Sequence, residues 1–290
     1  MLNYKGGKNM YDTIIIGMGP AGISAGIYAK RSKLNTLILE KSTPGGLLNK
    51  IKVIDNYPGF SNVSGPDLAF NMFNHINKLG VDYKIEEVTN LVKEGNIFKV
   101  ITNKSKYTAK TVILSSGNEV KENNKFSFSK CAICDAPLYK DKTVLVLGDN
   151  SLIKDTLYLS DFAKEIIVVT KDKLENKELL NKENIIIYES TFVENINEEN
   201  NLYLVKTSNG TFTVDGIFTF FKNSLKPRYL ENINLEYQNN RVVSKSTKTN
   251  IEGLFVCGDL SKKELYQVVT AVSEGAVAAI KVNEYVKGWK

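Results

Sequence analysis

Residues 12–22 read Asp-Thr-Ile-Ile-Ile-Gly-Met-Gly-Pro-Ala-Gly, and this stretch decides the fold. Residues 12–16 are a short, mostly apolar run ending on glycine, the pattern of a strand buried on both faces of a parallel sheet. Small and apolar residues then recur at helical spacing over 22–30, and 35–40 is a second apolar run. Strand, turn, helix and strand in this order make a β-α-β unit. In that context Gly17, Gly19 and Gly22 each have a reason. Gly17 permits the tight turn, Gly19 lets the backbone approach a pyrophosphate, and Gly22 lets the helix pack on the strand. The pyrophosphate then lies on the N–H groups of the helix start, beside Pro20 and Ala21. Glu40, closing the second strand, is placed to accept hydrogen bonds from a ribose. The turn alone does not choose between FAD and NAD.

Further along, 67–80 reads as a helix with Phe70, Met72, Phe73, Ile76 and Leu79 on its apolar side. Residues 84–107 alternate around a turn at Gly95-Asn96, as in a meander, and 111–114 is another buried strand. A polar linker is expected over 118–125. A second α/β unit follows, with strands at 143–147 and 165–169 flanking a helix over 151–162. More strands lie between 185 and 221, with a turn at Asn209-Gly210. The last strand, 254–256, and a closing helix over about 267–286 return to the first unit. The expected fold is therefore α/β, with two Rossmann-like three-layer nucleotide-binding domains, the second inserted into the first. The first domain comprises 1–116 and 244–290, and the second 117–243.

The chain has 290 residues, enough for about two domains. Its net charge of +6 is spread through a Lys- and Asn-rich composition rather than gathered into a patch with stacking aromatics, so nucleic-acid binding is not expected. The same charge gives a weak steering field for acidic protein partners. The longest apolar run, 276–282, is interrupted by Lys281, and residues 1–8 carry no secretory apolar core. The expectation is a cytoplasmic protein that does not enter membranes.

Three cysteines and one histidine, His75, cannot readily supply the four ligands of a structural zinc site, so no metal is expected. Cys131 and Cys134 stand as C-x-x-C, which points to redox work. A helix start lowers a thiol pKa, and the thiolate is the reacting species. Asp135 directly follows the pair and is placed to carry protons to and from the thiols. Cys257 reads as a small buried apolar residue, and His75 as a surface or packing residue.

The chain resembles the low-molecular-weight thioredoxin reductase family from about residue 11 to 286. The landmarks are GMGPAG at 17–22, GGLL at 45–48, NYPG at 56–59, CAICD at 131–135, VCGD at 256–259 and YQVVTAVSEGAVAA at 266–279. The resemblance implies FAD in the first site and a homodimer. It implies that Gly45, Gly46 and Asn56 line the flavin side, that Asp259 binds the ribityl chain, and that Gln267 and Val268 face the isoalloxazine. Lys41, Leu47, Val88, Gly117 and Gly258 complete the implied cofactor set. It also implies that Cys134 is the thiol next to the flavin and that Cys131 attacks the partner disulfide through a mixed disulfide.

The family's second domain normally binds NADPH through G-G-G-[ND]-[ST]-A. This chain has Gly148-Asp149-Asn150-Ser151-Leu152, one residue shorter and keeping one glycine. Asp149 sets a carboxylate where a diphosphate would lie, and Leu152 replaces a small residue. The family's His-Arg-Arg after the next strand is replaced here by Thr170-Lys171, and its later glycine is missing at Phe221-Lys222-Asn223. Lys171 and Lys173 retain some positive charge. This pattern resembles the ferredoxin-dependent flavin thioredoxin reductases, which lack a pyridine nucleotide site. Ferredoxin at about −400 mV and thioredoxin at about −270 mV leave roughly 6 kcal/mol for two electrons. A flavin takes electrons singly and delivers a pair. Lys262 and Lys263 are candidate docking charges for an acidic ferredoxin, and Tyr266 and Trp289 are candidates to shield the flavin. The expected activity is reduction of thioredoxin, or a thioredoxin-like disulfide protein, with electrons from ferredoxin. The alternatives are an NADPH-dependent thioredoxin reductase with an atypical site, and a flavin-stabilised scaffold without turnover.

Overall fold

The three isoleucines that end the first strand set the layering of the first unit. In the computed structural model, residues 10–117, 128–221 and 226–288 are described. In chain order the first stretch gives β1 (Tyr11–Ile16), α1 (Pro20–Arg31), β2 (Thr36–Glu40), α2 (Gly65–Lys78), β3 (Asp82–Ile85), β4 (Val88–Glu94), β5 (Ile97–Thr102) and β6 (Lys106–Leu114). The second stretch gives α3 (Ala132–Asp135), β7 (Thr143–Gly148), α4 (Leu152–Leu159), β8 (Glu165–Val169), β9 (Ile185–Tyr188), β10 (Val193–Glu199), β11 (Leu202–Thr207), β12 (Gly210–Val214) and β13 (Gly216–Phe220). The last gives β14 (Tyr237–Gln238), β15 (Arg241–Val242), β16 (Leu254–Val256) and α5 (Val268–Gly288). The expected linker at 118–125 lies outside the described residues.

The chain divides into two units, Met1–Lys121 with Ser224–Lys290, and Glu122–Asn223. In the first, the sheet runs β3-β2-β1-β6-β5-β4, with β16 also paired to β6. β6 is one long strand doing two jobs. Its first half pairs antiparallel with β5, and its second half lies parallel between β1 and β16. Successive side chains of β1 point to opposite faces, so Ile14 and Ile16 enter one core and Ile15 the other. The Ile15 core is roofed by α1, α2 and α5. Ser24 Oγ donates to the Val272 carbonyl at 2.7 Å. A Cβ at Gly275 would collide with the Ala21 carbonyl, so only glycine lets α5 lie this close to α1. Each large aliphatic side chain buried here stabilises the fold by about 1.5–3 kcal/mol.

Tyr229, Leu230, Ile233, Leu235 and Val242 cover the Ile14 face of this sheet. The chain thus returns to the first unit at about residue 224, not at the expected 244. Sequence patterning hid this because 226–249 reads as polar, while its few apolar residues are the ones that bury. A second correction concerns α2, which starts at Gly65, where Ser64 accepts the Asp67 N–H at 3.1 Å. Leu68, Ala69 and Ile76 form its buried side, and Phe70, expected to be buried, is 63 % exposed.

In the second unit β13-β7-β8-β9 form an all-parallel sheet, beside an antiparallel meander of β10-β11-β12. One face packs α3 and α4 through Ala132, Ala136, Leu152 and Leu159, and the other packs Phe128, Val205 and Val214 of the meander side. The C-x-x-C segment is therefore seated directly on the sheet. Among the described residues no helix is long and apolar enough to cross a membrane.

Candidate functional site

The first glycine turn is built as a ligand cradle. Its carbonyls at Ile16 and Gly17 accept from Ser115 Oγ at 2.9 and 3.0 Å, which ties the turn to the end of β6. Glu40 is 7 % exposed, and its carboxylate accepts the Met18 N–H at 2.7 Å and the Ser42 N–H at 3.0 Å. It braces the turn. Each carboxylate oxygen has a second acceptor site. A Cβ at Gly22 would run into the Gly17 carbonyl, whereas a Cβ at Gly19 would meet no protein atom within 4 Å. Gly22 is thus needed for packing and Gly19 for what lies outside the protein. The start of α1 has Pro20 in its first turn and no side-chain cap, so its N–H groups suit an anion.

This difference gives a paired expectation. Gly22→Ala should destabilise the protein by about 1–3 kcal/mol or more, because backbone must move. Gly19→Ala should leave the thermal unfolding of the cofactor-free protein close to wild type but lower the bound cofactor recovered on purification. Absorbance of the released cofactor and the Tm of the stripped protein separate the two effects.

Most of the other expected cofactor residues gather at this end of the first unit. Gly45 N–H donates to the Met18 carbonyl at 2.8 Å, and a Cβ at Gly46 would lie 3.5 Å from Gly19 Cα. A Cβ at Gly258 would lie 2.9 Å from that of Ala21. Asn56 and Gln267, far apart in sequence, are joined by Asn56 Nδ2 donating to Gln267 Oε1 at 3.1 Å. Val268 packs on Leu48, Ile54, Leu68 and Ala69. Leu47 and Lys41 lie on the surface nearby, and Gly117 follows Ser115 with φ +71°. Asp259 accepts the Arg241 guanidinium with its backbone carbonyl. Val88, in contrast, is a core residue at the start of β4.

Several supporting residues were not singled out by the sequence. Glu274 accepts the Gly258 N–H at 2.8 Å and pairs with Lys263 Nζ at 2.6 Å. Its signal was available: it is the one acidic side chain in the apolar stretch of α5 that ends at Ile280. This pair also corrects an expectation. Lys263 has a side chain only 10 % exposed and is engaged by Glu274, so of the two candidate docking lysines only Lys262 is exposed. Tyr266 is flanked by two cations, with Arg241 at 4.0 Å and Lys263 at 5.4 Å from the ring centre. Trp289 lies outside the described residues. Cys257 is fully buried, and burial pushes its thiol far up, as expected of a packing residue.

In the second unit Cys131 and Cys134 form a disulfide with Cα atoms 5.3 Å apart. Cys131 is the N-cap of the short helix α3, its Sγ accepting the Cys134 N–H at 3.2 Å. Asp135 ends α3. Burial pushes its carboxyl above the usual range, opposed by a hydrogen bond from Ser129 Oγ at 2.5 Å. Asp155, on α4, is also raised by burial and accepts a backbone hydrogen bond from Ala132. Tyr139 is pushed up to about 12, first by burial and then by the charges of Asp135, Tyr203 and Asp215. The dithiol therefore has two carboxyl groups beside it whose proton affinity is raised by burial, a setting suited to proton transfer. Ile133, between the cysteines, and Leu138 are exposed apolar side chains.

The second glycine turn is closed on itself. Ser151 N–H donates to the Asp149 carboxylate at 2.9 Å, and Leu152 N–H to the Asp149 carbonyl at 3.0 Å. Asp149 N–H and Ser151 Oγ both go to the Phe220 carbonyl, at 3.2 and 3.1 Å. Leu152 is fully buried beneath the turn. The Asp149, Ser151 and Leu152 N–H groups are thus bonded within the chain, and the Asp149 carboxylate lies just before the start of α4. Beyond β8, an open cavity of about 400 Å³ is lined by Lys171, Ser190, Phe192 and Val193.

A disulfide-bearing α/β unit inserted into a dinucleotide-cradling one defines the class. A family model described as pyridine nucleotide-disulphide oxidoreductase matches residues 11–275. The thioredoxin reductase of Bacillus subtilis is 33 % identical over 304 residues, spanning 97 % of this chain and 96 % of that protein. The crystal structure of thioredoxin reductase from Streptococcus pyogenes superposes with a TM-score of 0.86 at 29 % identity, covering 96 % of this chain and 99 % of that one. A ferredoxin-flavin thioredoxin reductase from Clostridium acetobutylicum superposes with a TM-score of 0.57 at 30 % identity, with coverage of 96 % and 99 %. The chain belongs to the thioredoxin reductases within the pyridine nucleotide-disulphide oxidoreductase family.

Proposed function

We propose that this protein is an FAD-dependent disulfide reductase that passes electrons from reduced ferredoxin, through Cys131 and Cys134, to thioredoxin. The observation that carries the choice of donor is the Asp149 turn, whose carboxylate and carbonyl take the Ser151 and Leu152 N–H groups. The residues of the first unit fit FAD: an open face at Gly19, an uncapped α1 start, and Asn56, Asp259 and Gln267 grouped beside it. FAD, when bound, accepts electrons one at a time and delivers them in pairs.

The chain's own residues supply the rest. The Cys131 thiolate attacks one sulfur of the partner disulfide and releases the other as a thiolate. Cys134 then attacks Cys131 and releases the second partner sulfur. The Cys131–Cys134 bond is re-formed, and the partner has gained two electrons, its two thiolates taking their protons from solvent. Asp135 takes the proton given up by Cys134 and returns it when the pair is reduced again. Exposed Ile133 and Leu138 offer apolar contact to a protein partner beside the disulfide. Lys262 remains as an exposed charge for an acidic donor. The reading carries a cytoplasmic homodimer, to which the exposed Val269, Val277 and Ile280 of α5 offer an apolar face.

The second reading, NADPH dependence, is favoured by Lys171 lining an open cavity at the end of β8, where a phosphate-bearing ligand has room. Anaerobic assays of thioredoxin reduction with ferredoxin, NADPH and NADH supplied separately decide between them. Turnover with ferredoxin alone is expected, and turnover with NADPH alone overturns the proposal.

A further inference from the structure

We propose that Ser129 is the residue that positions Asp135 for its proton work at the dithiol. The proposal rests on reading Asp135 as the proton carrier. Ser129 is not part of the C-x-x-C-D motif, but its backbone is held from outside it. Its N–H donates to the Ile217 carbonyl at 3.1 Å, and its carbonyl accepts the Thr219 N–H at 2.8 Å, so its peptide groups are stitched to β13 on both sides. From that fixed point Ser129 Oγ donates to Asp135 Oδ2 at 2.5 Å and accepts, weakly, the Cys131 N–H at 3.4 Å. One hydroxyl thus links the carboxylate at the end of α3 to the peptide of the cysteine at its start.

The groups around Asp135 do not replace this link. α4 packs on α3 and brings Asp155, which holds the Ala132 N–H. The turn after α3 brings Tyr139, with Asp215 and Tyr203 behind it and Lys142 5.5 Å from its ring centre. α3 itself adds Cys131 and Cys134. β7 and β13 carry no ionisable side chain. Among these groups, the side-chain hydrogen bond acting on the Asp135 carboxyl comes from Ser129.

The sign follows from the donor. A hydroxyl that donates to a carboxylate favours the ionised form, against burial, which favours the protonated one. Without the hydroxyl, Asp135 keeps its proton to higher pH and accepts the Cys134 proton only there. The test follows oxidation of the chemically reduced holoenzyme by the aromatic disulfide DTNB under anaerobic conditions, from about pH 5 to pH 9. Two thiols become the Cys131–Cys134 disulfide, and DTNB is cleaved to two thiolates with release of two protons. Asp135→Asn should remove part of the acid limb of the rate profile. Ser129→Ala should move that part up by about one pH unit, and Ser129→Thr should restore it. Adding Ser129→Ala to Asp135→Asn should change nothing further. A limb unmoved by Ser129→Ala while Asp135→Asn removes it overturns the inference, as does an equal slowing at every pH. A limb untouched by Asp135→Asn overturns the reading of Asp135 instead. The backbone links to β13 do not use the hydroxyl, so the alanine variant keeps them.

Discussion

Cys134→Ser is expected to abolish turnover with thioredoxin, lowering it more than about a thousand-fold, because paired groups that act as a unit lose nearly everything when either is removed. The protein should keep its flavin, since the cofactor cradle belongs to the first unit and the dithiol to the second. Cys131→Ser should cost as much turnover. The two variants differ in what they trap. With Cys134 gone, Cys131 can still attack a partner disulfide, but nothing within α3 resolves the product. A stable mixed disulfide should then appear with a thioredoxin that lacks its own resolving cysteine and whose remaining cysteine carries a DTNB-derived thionitrobenzoate, which leaves as the thiolate, or with the DTNB-derived thiol itself after attack on DTNB, detected by mass spectrometry without reductant. Cys131→Ser should give no such adduct at the same rate. Adducts formed only on Cys134 would reverse the assigned roles. Unchanged turnover in both variants would mean that reduction does not pass through this pair, and no turnover in the wild-type protein would leave the chain as a scaffold. The geometry favours the first outcome: Cys131 caps α3 and accepts the Cys134 N–H, so a negative charge on its sulfur is met by a donor already in place.

How much of this was legible before the structure depended on the range of the interactions. Features set by neighbouring residues were readable. The run of Ile14 to Ile16 followed by Gly17, Gly19 and Gly22 places a strand, a turn and a helix, and all three form. The C-x-x-C likewise starts a helix because Cys131 can cap it locally. Features set by residues far apart were not. Ser115 grips the first turn from the end of β6, and Glu274 holds Gly258 from α5. Neither contact leaves a periodic trace. The same limit explains Lys263, which looks like a surface charge until Glu274 is placed beside it. Phe70 is a different failure. The helix forms, but its buried side is centred on Leu68, Ala69 and Ile76, and Phe70, two residues past Leu68, falls on the other side of the helix. The polar stretch before residue 244 misled for a third reason: Tyr229, Leu230, Ile233 and Leu235 are isolated apolar residues whose burial depends on an existing sheet face.

The donor is where the largest difference between readings can be measured. Under anaerobic conditions, stoichiometric NADPH or NADH should leave the flavin absorbance unchanged, while reduced ferredoxin should bleach it within the time of mixing. The sequence change at the second turn removes glycines, but the structure adds a stronger reason. In an open turn, N–H groups at a helix start face the diphosphate and gain from its charge. Here Ser151 N–H is turned to the Asp149 carboxylate and Leu152 N–H to the Asp149 carbonyl, so a nucleotide would have to displace bonds already made. It would also bring phosphate charge against Asp149, and like charges in contact raise the cost further. Affinity weaker than about 1 mM is expected for both nucleotides. Asp149→Gly gives the sharper experiment. It removes the charge and frees the Ser151 N–H, yet Ser151 Oγ still goes to the Phe220 carbonyl and Leu152 still fills the space under the turn. NADPH should therefore bind somewhat better to the variant without reducing the flavin at a useful rate. Rapid bleaching of the wild-type protein by one equivalent of NADPH would remove ferredoxin from the scheme. Rapid bleaching of Asp149→Gly alone would mean that a single carboxylate, rather than the whole closed turn, keeps the nucleotide out.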